Sequence, residues 1–100
     1  SIEIDKLLYL ALKHRPAPIW SREPEEVKKN RVRAYLSEAF PKFISKAEQE
    51  NVKTFQEYDD KFSIHYQCKE WLEVLLELAK EDGDDKLGGA VSACLARMDS

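Results

Sequence analysis

Two histidines and two cysteines are the side chains of this 100-residue sequence best suited to metal binding or nucleophilic chemistry. His65 and Cys68 stand three residues apart, a spacing that places both on one face of a helix. His14 and Cys94 would have to approach them from other parts of the chain. Zinc prefers four such ligands at regular spacings, and the sequence contains no paired C-x-x-C or H-x-x-x-H. We therefore predict neither a metal nor a cofactor.

The same residues could form a cysteine nucleophile with a histidine base. Each cysteine, however, lies within a stretch of helically spaced apolar residues, where burial raises the thiol pKa and keeps the sulfur unreactive. The sequence also lacks the nucleophile-elbow, P-loop, dinucleotide-binding and zinc-protease motifs. We expect a protein that is not an enzyme, and no small-molecule substrate is evident.

The cysteine content and the lack of long apolar runs bear on location. Two buried free thiols are more typical of a reducing compartment than of a secreted disulfide framework. No signal peptide and no run of about 18 apolar residues is present. We therefore expect a cytoplasmic protein that makes no contact with a membrane.

Charge is divided unevenly between the two halves of the chain. Residues 1–50 hold ten Lys or Arg and eight Asp or Glu, whereas residues 51–100 hold six and eleven. The halves therefore carry +2 and −5, and the acidic half argues against a surface built entirely for nucleic acid. The local excess of positive charge in residues 13–33 supports an alternative function as a nucleic-acid-binding regulator.

The candidate nucleic-acid contacts of this basic stretch are Lys13, Arg15, Lys29 and Arg33. Lys29 and Arg33 share one helix face, where Glu25 and Glu26 are expected to be their ion-pair partners within the helix. A solvated helix face explains such a pattern as well as a binding site does. No glycine-centred tight turn of the helix-turn-helix kind separates the neighbouring helices.

The fold class follows from the apolar pattern of residues 71–79, WLEVLLELA. Seven of these nine residues are apolar, and the two polar ones, Glu73 and Glu77, lie four apart on one narrow face. An ordinary surface helix buries a stripe about 100° wide, so this helix must be covered on most sides. We predict an all-α, single-domain bundle of four to five helices over residues 1–100, with residues 64–80 as the central helix.

The remaining helices are predicted from caps and breakers. Pro16 and Pro18 end a first helix, Pro41 ends or kinks the second, and Thr54 with Glu57 forms a capping box. Residues 54–81 are either one helix or two with a break near residues 60–63. The other helices lie near residues 2–14, 24–40 and 86–98, with Phe43, Ile44 and Ala47 on the inner side of the segment after Pro41. The predicted core comprises Leu8, Tyr35, Phe62, Leu72, Leu75 and Leu95.

The absence of catalytic motifs and a surplus of apolar helix surface together indicate function by protein–protein interaction, with another protein or, as a homodimer, with a second copy. Trp20 lies in the connector of residues 15–23, where a partner could grip it. Small residues at four-residue spacing on the last helix would let a neighbouring backbone approach closely. The predicted interaction residues are Trp20, Trp71, Gly88, Ser92 and Ala96.

Overall fold

The computed structural model describes residues 3–17 and 22–97, which form five α-helices and no strand. The helices are α1 (Ile4–Lys13), α2 (Glu25–Gln49), α3 (Phe55–Phe62), α4 (Lys69–Asp82) and α5 (Asp85–Ala96). This architecture confirms the predicted all-α bundle. None of these helices combines the length and the apolar character needed to cross a membrane.

Two helices share the centre of the bundle. In α1, all of residues 7–12 are buried, and because successive residues of a helix point about 100° apart, α1 is enclosed on nearly every side. It packs against α2, α3 and α5, while α4 packs against α2 and α5. The apolar side chains of residues 71–79 are covered as predicted. The central position assigned to residues 64–80 is therefore held jointly by α1 and α4.

The second helix continues through Pro41, so the longer helix left open by the sequence is the one observed. Pro41 has no amide hydrogen to donate to the carbonyl of Ser37, and this site is exposed to solvent. Phe43 and Ala47 face inward as predicted. Ile44 does not, because the uninterrupted turn of the helix carries it to the exposed side.

A left-handed residue separates α3 from α4. The predicted capping box is present, with the Glu57 amide donating to Thr54 Oγ1 and the Thr54 amide donating to Glu57 Oε2. Ser63 then adopts φ 52° and ends α3, so of the two alternatives left open for residues 54–81 the structure has two helices with a break near residues 60–63. Residues 64–68 form a turn, so the central helix starts at Lys69 and the predicted start at residue 64 was wrong.

The predicted core is correct in part. Leu8, Leu72 and Leu75 are fully buried, and Tyr35 and Leu95 are partly buried against the core. Phe62 was assigned wrongly, because 51% of its surface is exposed. Phe62 is the last residue of α3, and helical spacing alone does not show whether a side chain at a helix end is covered.

Replacing Leu75 by alanine tests the core assignment. We expect Leu75→Ala to lower the free energy of unfolding by about 2–5 kcal/mol, because it removes buried methylene groups and leaves a cavity. Urea unfolding measures the loss. Phe62→Ala is the matched control, since a largely exposed side chain should change stability by less than about 1 kcal/mol. Equal losses in the two variants would contradict the burial difference between them.

Candidate functional site

His65 does not join Cys68 in a ligand set but pairs with the buried carboxylate of Asp59. The His65 Nδ1–H donates to Asp59 Oδ1 and Oδ2, at 2.8 Å each, and the His65 backbone amide donates to Oδ1 at 2.8 Å. Arg97 Nε donates to Oδ2 at 2.8 Å, and another guanidinium nitrogen of Arg97 contacts Asp60. One carboxylate thus ties α3 to the turn of residues 64–68 and to the end of α5.

An aspartate that orients an imidazole is also a feature of catalytic sites, but burial keeps this pair from a substrate. His65 Nε2 has no hydrogen-bond partner among residues 3–17 and 22–97, and it is inaccessible to solvent. Within the same residues, no group of three His, Cys, Asp or Glu side chains is arranged to hold a metal. We assign the Asp59 cluster (Asp59, His65 and Arg97) a structural role.

The Asp59 carboxyl stays ionised inside the protein. Burial alone would raise its pKa, but the hydrogen bonds from Arg97 and His65 outweigh burial and hold the pKa below its usual value of 3.8. A lowered pKa in the folded state means that the charged form stabilises the fold. This stabilisation is complete above the pKa of the unfolded chain and is lost as the pH falls through the lower, folded-state pKa.

Asp59→Asn tests this assignment. At pH 7 the variant should lose on the order of 3 kcal/mol in unfolding free energy, near the low end for breaking a buried ion pair, because Arg97 is partly exposed and regains water. As the pH falls below about 4, urea unfolding should show the difference from the parent shrinking, because the carboxyl of the unfolded parent takes up a proton first and that of the folded parent follows at its lower pKa. Asp60→Asn, at an exposed neighbour, is the control. A difference that stays constant with pH would show that charge is not the cause.

Both thiols are free and buried, as the sequence predicted. Burial raises the pKa of Cys68, and it raises that of Cys94 to about 12. A thiol with such a pKa is almost entirely neutral near pH 7, and the neutral form is a weak nucleophile.

The basic stretch is divided in the structure. Lys29 Nζ lies 2.5 Å from Glu81 Oε1, and Arg33 donates to both oxygens of Asp82 at 2.6 and 2.7 Å and to Glu81 Oε2 at 3.2 Å. The expected partners Glu25 and Glu26 were therefore wrong for these two cations. These ion pairs join α2 to the C-terminal end of α4. They also neutralise Lys29 and Arg33, two of the cations that were predicted to contact phosphate.

Lys13 and Arg15 lie at the other end of α4. Arg15 donates from Nη1 to the Leu12 carbonyl at 2.8 Å and from Nη2 to the Gln67 carbonyl at 3.4 Å, so it caps α1 and contacts the turn before α4. The 14 residues of α4 span about 20 Å at 1.5 Å per residue. The structure therefore does not bring the four predicted nucleic-acid contacts onto one surface.

The predicted interaction residues are also separated. Trp71 is 2% exposed and packs edge-on against Tyr35, with ring centroids 5.6 Å apart, so it belongs to the core and offers no surface to a partner. Gly88 faces Ala79 within the chain, where an added Cβ would lie 3.6 Å from the Ala79 Cβ. Ser92 and Ala96 are exposed on α5, and Trp20 lies outside the described residues.

A different surface combines a row of aromatic rings, the last of them exposed, with cations that have no carboxylate partner among the described residues. It is a cleft of about 150 Å³ between α1, α3 and the turn of residues 64–68, and we call it the aromatic cleft. Its lining residues are Tyr9, Leu12, Lys13, Arg15, Tyr58, Ile64, Gln67 and Cys68. The Tyr9 and Tyr58 ring centroids are 4.8 Å apart, and those of Tyr58 and Phe62 are 4.7 Å apart. A row of three rings thus runs from the buried face of α1 to the exposed Phe62.

Positive charge borders this row at both ends. Lys13 Nζ lies 5.9 Å from the Tyr9 ring centroid, and Lys61 Nζ lies 5.4 Å from the Phe62 ring centroid, both within range of cation–π attraction. Across the part of the chain that the structure describes, neither lysine nor Arg15 forms an ion pair with a carboxylate. The cleft therefore presents apolar rings and uncompensated cations together.

The aromatic cleft was not predicted, because Phe62 was assigned to the core and no site was assigned to Tyr9 or Tyr58. The sequence did hold one signal for this surface. Tyr58 and Phe62 are four residues apart, with Lys61 beside them, on a short helix that ends before Ser63. Tyr9 could not have been assigned to the cleft from sequence, since its neighbour in space comes from another helix.

Two larger clefts have other chemistry. One of about 500 Å³ lies between α2 and α4 and is lined mainly by charged residues: Glu25, Lys28, Lys29, Glu70, Glu73, Val74 and Glu77. The other, about 420 Å³, is a shallow groove beside α5 whose lining includes Phe55, Gly89, Ala90 and Ala93. Neither is lined by a row of aromatic rings.

Comparison with known proteins identifies no relative: no protein-family model matches the chain, and no curated protein or solved structure resembles it significantly.

Proposed function

We propose that this protein is not an enzyme and acts by binding another protein through the aromatic cleft. The observation that carries the proposal is the row of rings that starts with Tyr9 and Tyr58 in the lining of the cleft and ends in Phe62, which is 51% exposed. Single exposed apolar residues are ordinary on a protein surface. An exposed ring that extends an aromatic row out of a cleft is the kind of anchor that contributes most to protein interfaces.

A non-catalytic role is supported by the position of the reactive groups. The unpartnered nitrogen of His65 is buried, and Cys68 and Cys94 are buried thiols with raised pKa values. None of the three is placed to touch a substrate. The same free thiols support a cytoplasmic location, which we also propose, because reducing compartments keep such cysteines unpaired.

A peptide-display selection against the folded protein tests the proposed binding site. We expect binders whose contacts, followed by amide chemical shifts, centre on Tyr58 and Phe62. Phe62→Ser should weaken these binders about tenfold or more, a loss of about 1.4 kcal/mol or greater, because it removes the exposed anchor ring. Val27→Ser is the matched control, since Val27 is a comparably exposed apolar residue at the start of α2.

Two results would contradict this function. If the binders change the amide chemical shifts of α5, or of the residues around the cleft between α2 and α4, the interaction surface lies elsewhere. A selection that yields no binder to the parent protein, while a control domain with a known peptide partner yields one, would remove the proposed site.

Self-association is tested separately, because most of one surface expected to carry it is buried within the chain. The sequence placed the homodimer contact on residues 71–79 or on the face of Gly88, Ser92 and Ala96. The chain itself buries most of the first surface and packs Gly88 against Ala79, so Ser92 and Ala96 on α5 are the remaining predicted contacts. Light scattering over about a hundredfold dilution measures the mass. Under the homodimer version of the proposal, the parent is a dimer at high concentration and Ser92→Arg is monomeric, because a bulky cation blocks close helix approach. A parent that stays monomeric leaves a different protein as the partner.

A further inference from the structure

We infer that the aromatic cleft binds an acidic segment of its partner, in which one apolar anchor side chain is flanked by Asp or Glu. This inference rests on the proposed function and adds the chemistry of the partner. It commits to a protein segment and not to the phosphate backbone of a nucleic acid.

The first argument is that several cations gather at one aromatic row without a carboxylate to neutralise them. Two of these cations line the cleft and the third lies over the exposed end of the row. None of the three forms an ion pair with a carboxylate of the described residues. Lys13, Arg15 and Lys61 are the cations in question, and an acidic ligand would supply their missing counter-charge.

The second argument is that positive charge continues beyond the cleft. His14 stacks on Phe43, with ring centroids 5.1 Å apart, at the point where α1 meets the C-terminal half of α2. Burial, then Lys46, Lys13 and Lys42, lower the pKa of His14. An imidazole whose pKa is lowered by three lysines lies in a positive potential, so the field that attracts anions extends across the end of α1.

The third argument is size. The cleft volume of about 150 Å³ equals that of an engineered protein cavity that holds one benzene molecule. It therefore suits one aromatic or branched aliphatic side chain, inserted against Tyr9, Tyr58 and Ile64. Carboxylates on either side of such an anchor would then lie near the lysines at the two ends of the row.

Nucleic acid fits the charge distribution less well. A phosphate backbone needs a long track of cations, whereas Lys29 and Arg33 are already paired with carboxylates about 20 Å away at the far end of α4. The cleft between α2 and α4 adds Glu70, Glu73 and Glu77 on the same molecule. A short acidic segment requires only the few cations beside the aromatic cleft.

The test uses a fluorescein-labelled peptide of 12 residues with a central Phe flanked by Glu, and the same peptide with Lys in place of every Glu. Fluorescence anisotropy measures binding to the full chain. We expect the acidic peptide to bind at least about tenfold more tightly than the basic one, and its binding to weaken as salt rises. Lys13→Glu with Lys61→Glu should reduce the acidic peptide's affinity about tenfold, whereas Lys80→Glu with Lys86→Glu should leave it within about twofold.

His14 supplies a second measurement that does not depend on affinity. A bound anion stabilises the imidazolium form, so the His14 pKa followed by NMR should rise when the acidic peptide binds. His65, which is buried against Asp59, is an internal reference in the same spectra. Far-UV circular dichroism of the exposed-lysine variants verifies that each remains folded.

The outcomes separate this inference from the function on which it rests. If selected peptides lose affinity with Phe62→Ser but not with the reversal of Lys13 and Lys61, the acidic partner is wrong and the binding surface stands. If no peptide binds but a single-stranded oligonucleotide does, and the lysine reversal abolishes its mobility shift, the partner is a nucleic acid and both proposals are overturned. Equal binding of the acidic and basic peptides also overturns the inference.

Discussion

The rest of the structure depends on one constraint: the buried carboxylate of Asp59 must be hydrogen-bonded and paired with opposite charge. A carboxylate taken out of water destabilises a fold unless hydrogen bonds and opposite charge replace the lost solvation. Here the backbone and ring of His65 and the guanidinium of Arg97 do so. The His65 amide reaches Asp59 only because the chain reverses at Ser63 into a left-handed conformation that costs about 1–2 kcal/mol. The hydrogen bonds of the cluster offset that cost.

The reversal has a direct consequence for the surface. By ending α3 at Phe62, it leaves that ring at the edge of the bundle and starts α4 with a new orientation at Lys69. Had the helix continued into α4, Phe62 and Trp71, nine residues apart, would lie on opposite faces at about 100° per residue. The turn thus lets the His65 amide reach Asp59 and leaves Phe62 as the exposed last ring of the aromatic row. In this structure, stabilisation of the fold and formation of the candidate binding surface have one local cause.

Two groups of cations differ in whether carboxylates of the described residues neutralise them. The cations of α2 that face α4 are neutralised by Glu81 and Asp82, and they link two helices of the bundle. Those at the end of α1 and the end of α3 border an aromatic cleft and have no carboxylate partner within residues 3–17 and 22–97. Since α1 supplies both the most enclosed stretch of the core and Tyr9 of the cleft, a ligand there would contact a rigid part of the molecule. Binding would then require little reorganisation of the backbone.

The sequence by itself determined the elements. Local signals are sufficient for a capping box at Thr54, buried cysteines and an all-α bundle, because each depends on residues a few positions apart. The sequence also left two points open between alternatives: whether α2 ends at Pro41 or continues past it, and whether a break precedes α4. What only the tertiary structure decided is which side chains meet across helices. Lys29 and Arg33 had acceptable partners within their own helix, yet packing brought Glu81 and Asp82 closer, and a partner some 50 residues away leaves no trace in helical periodicity. The exposure of Phe62 was decided in the same way, because periodicity gives the direction of a side chain relative to its own helix but not what lies opposite it.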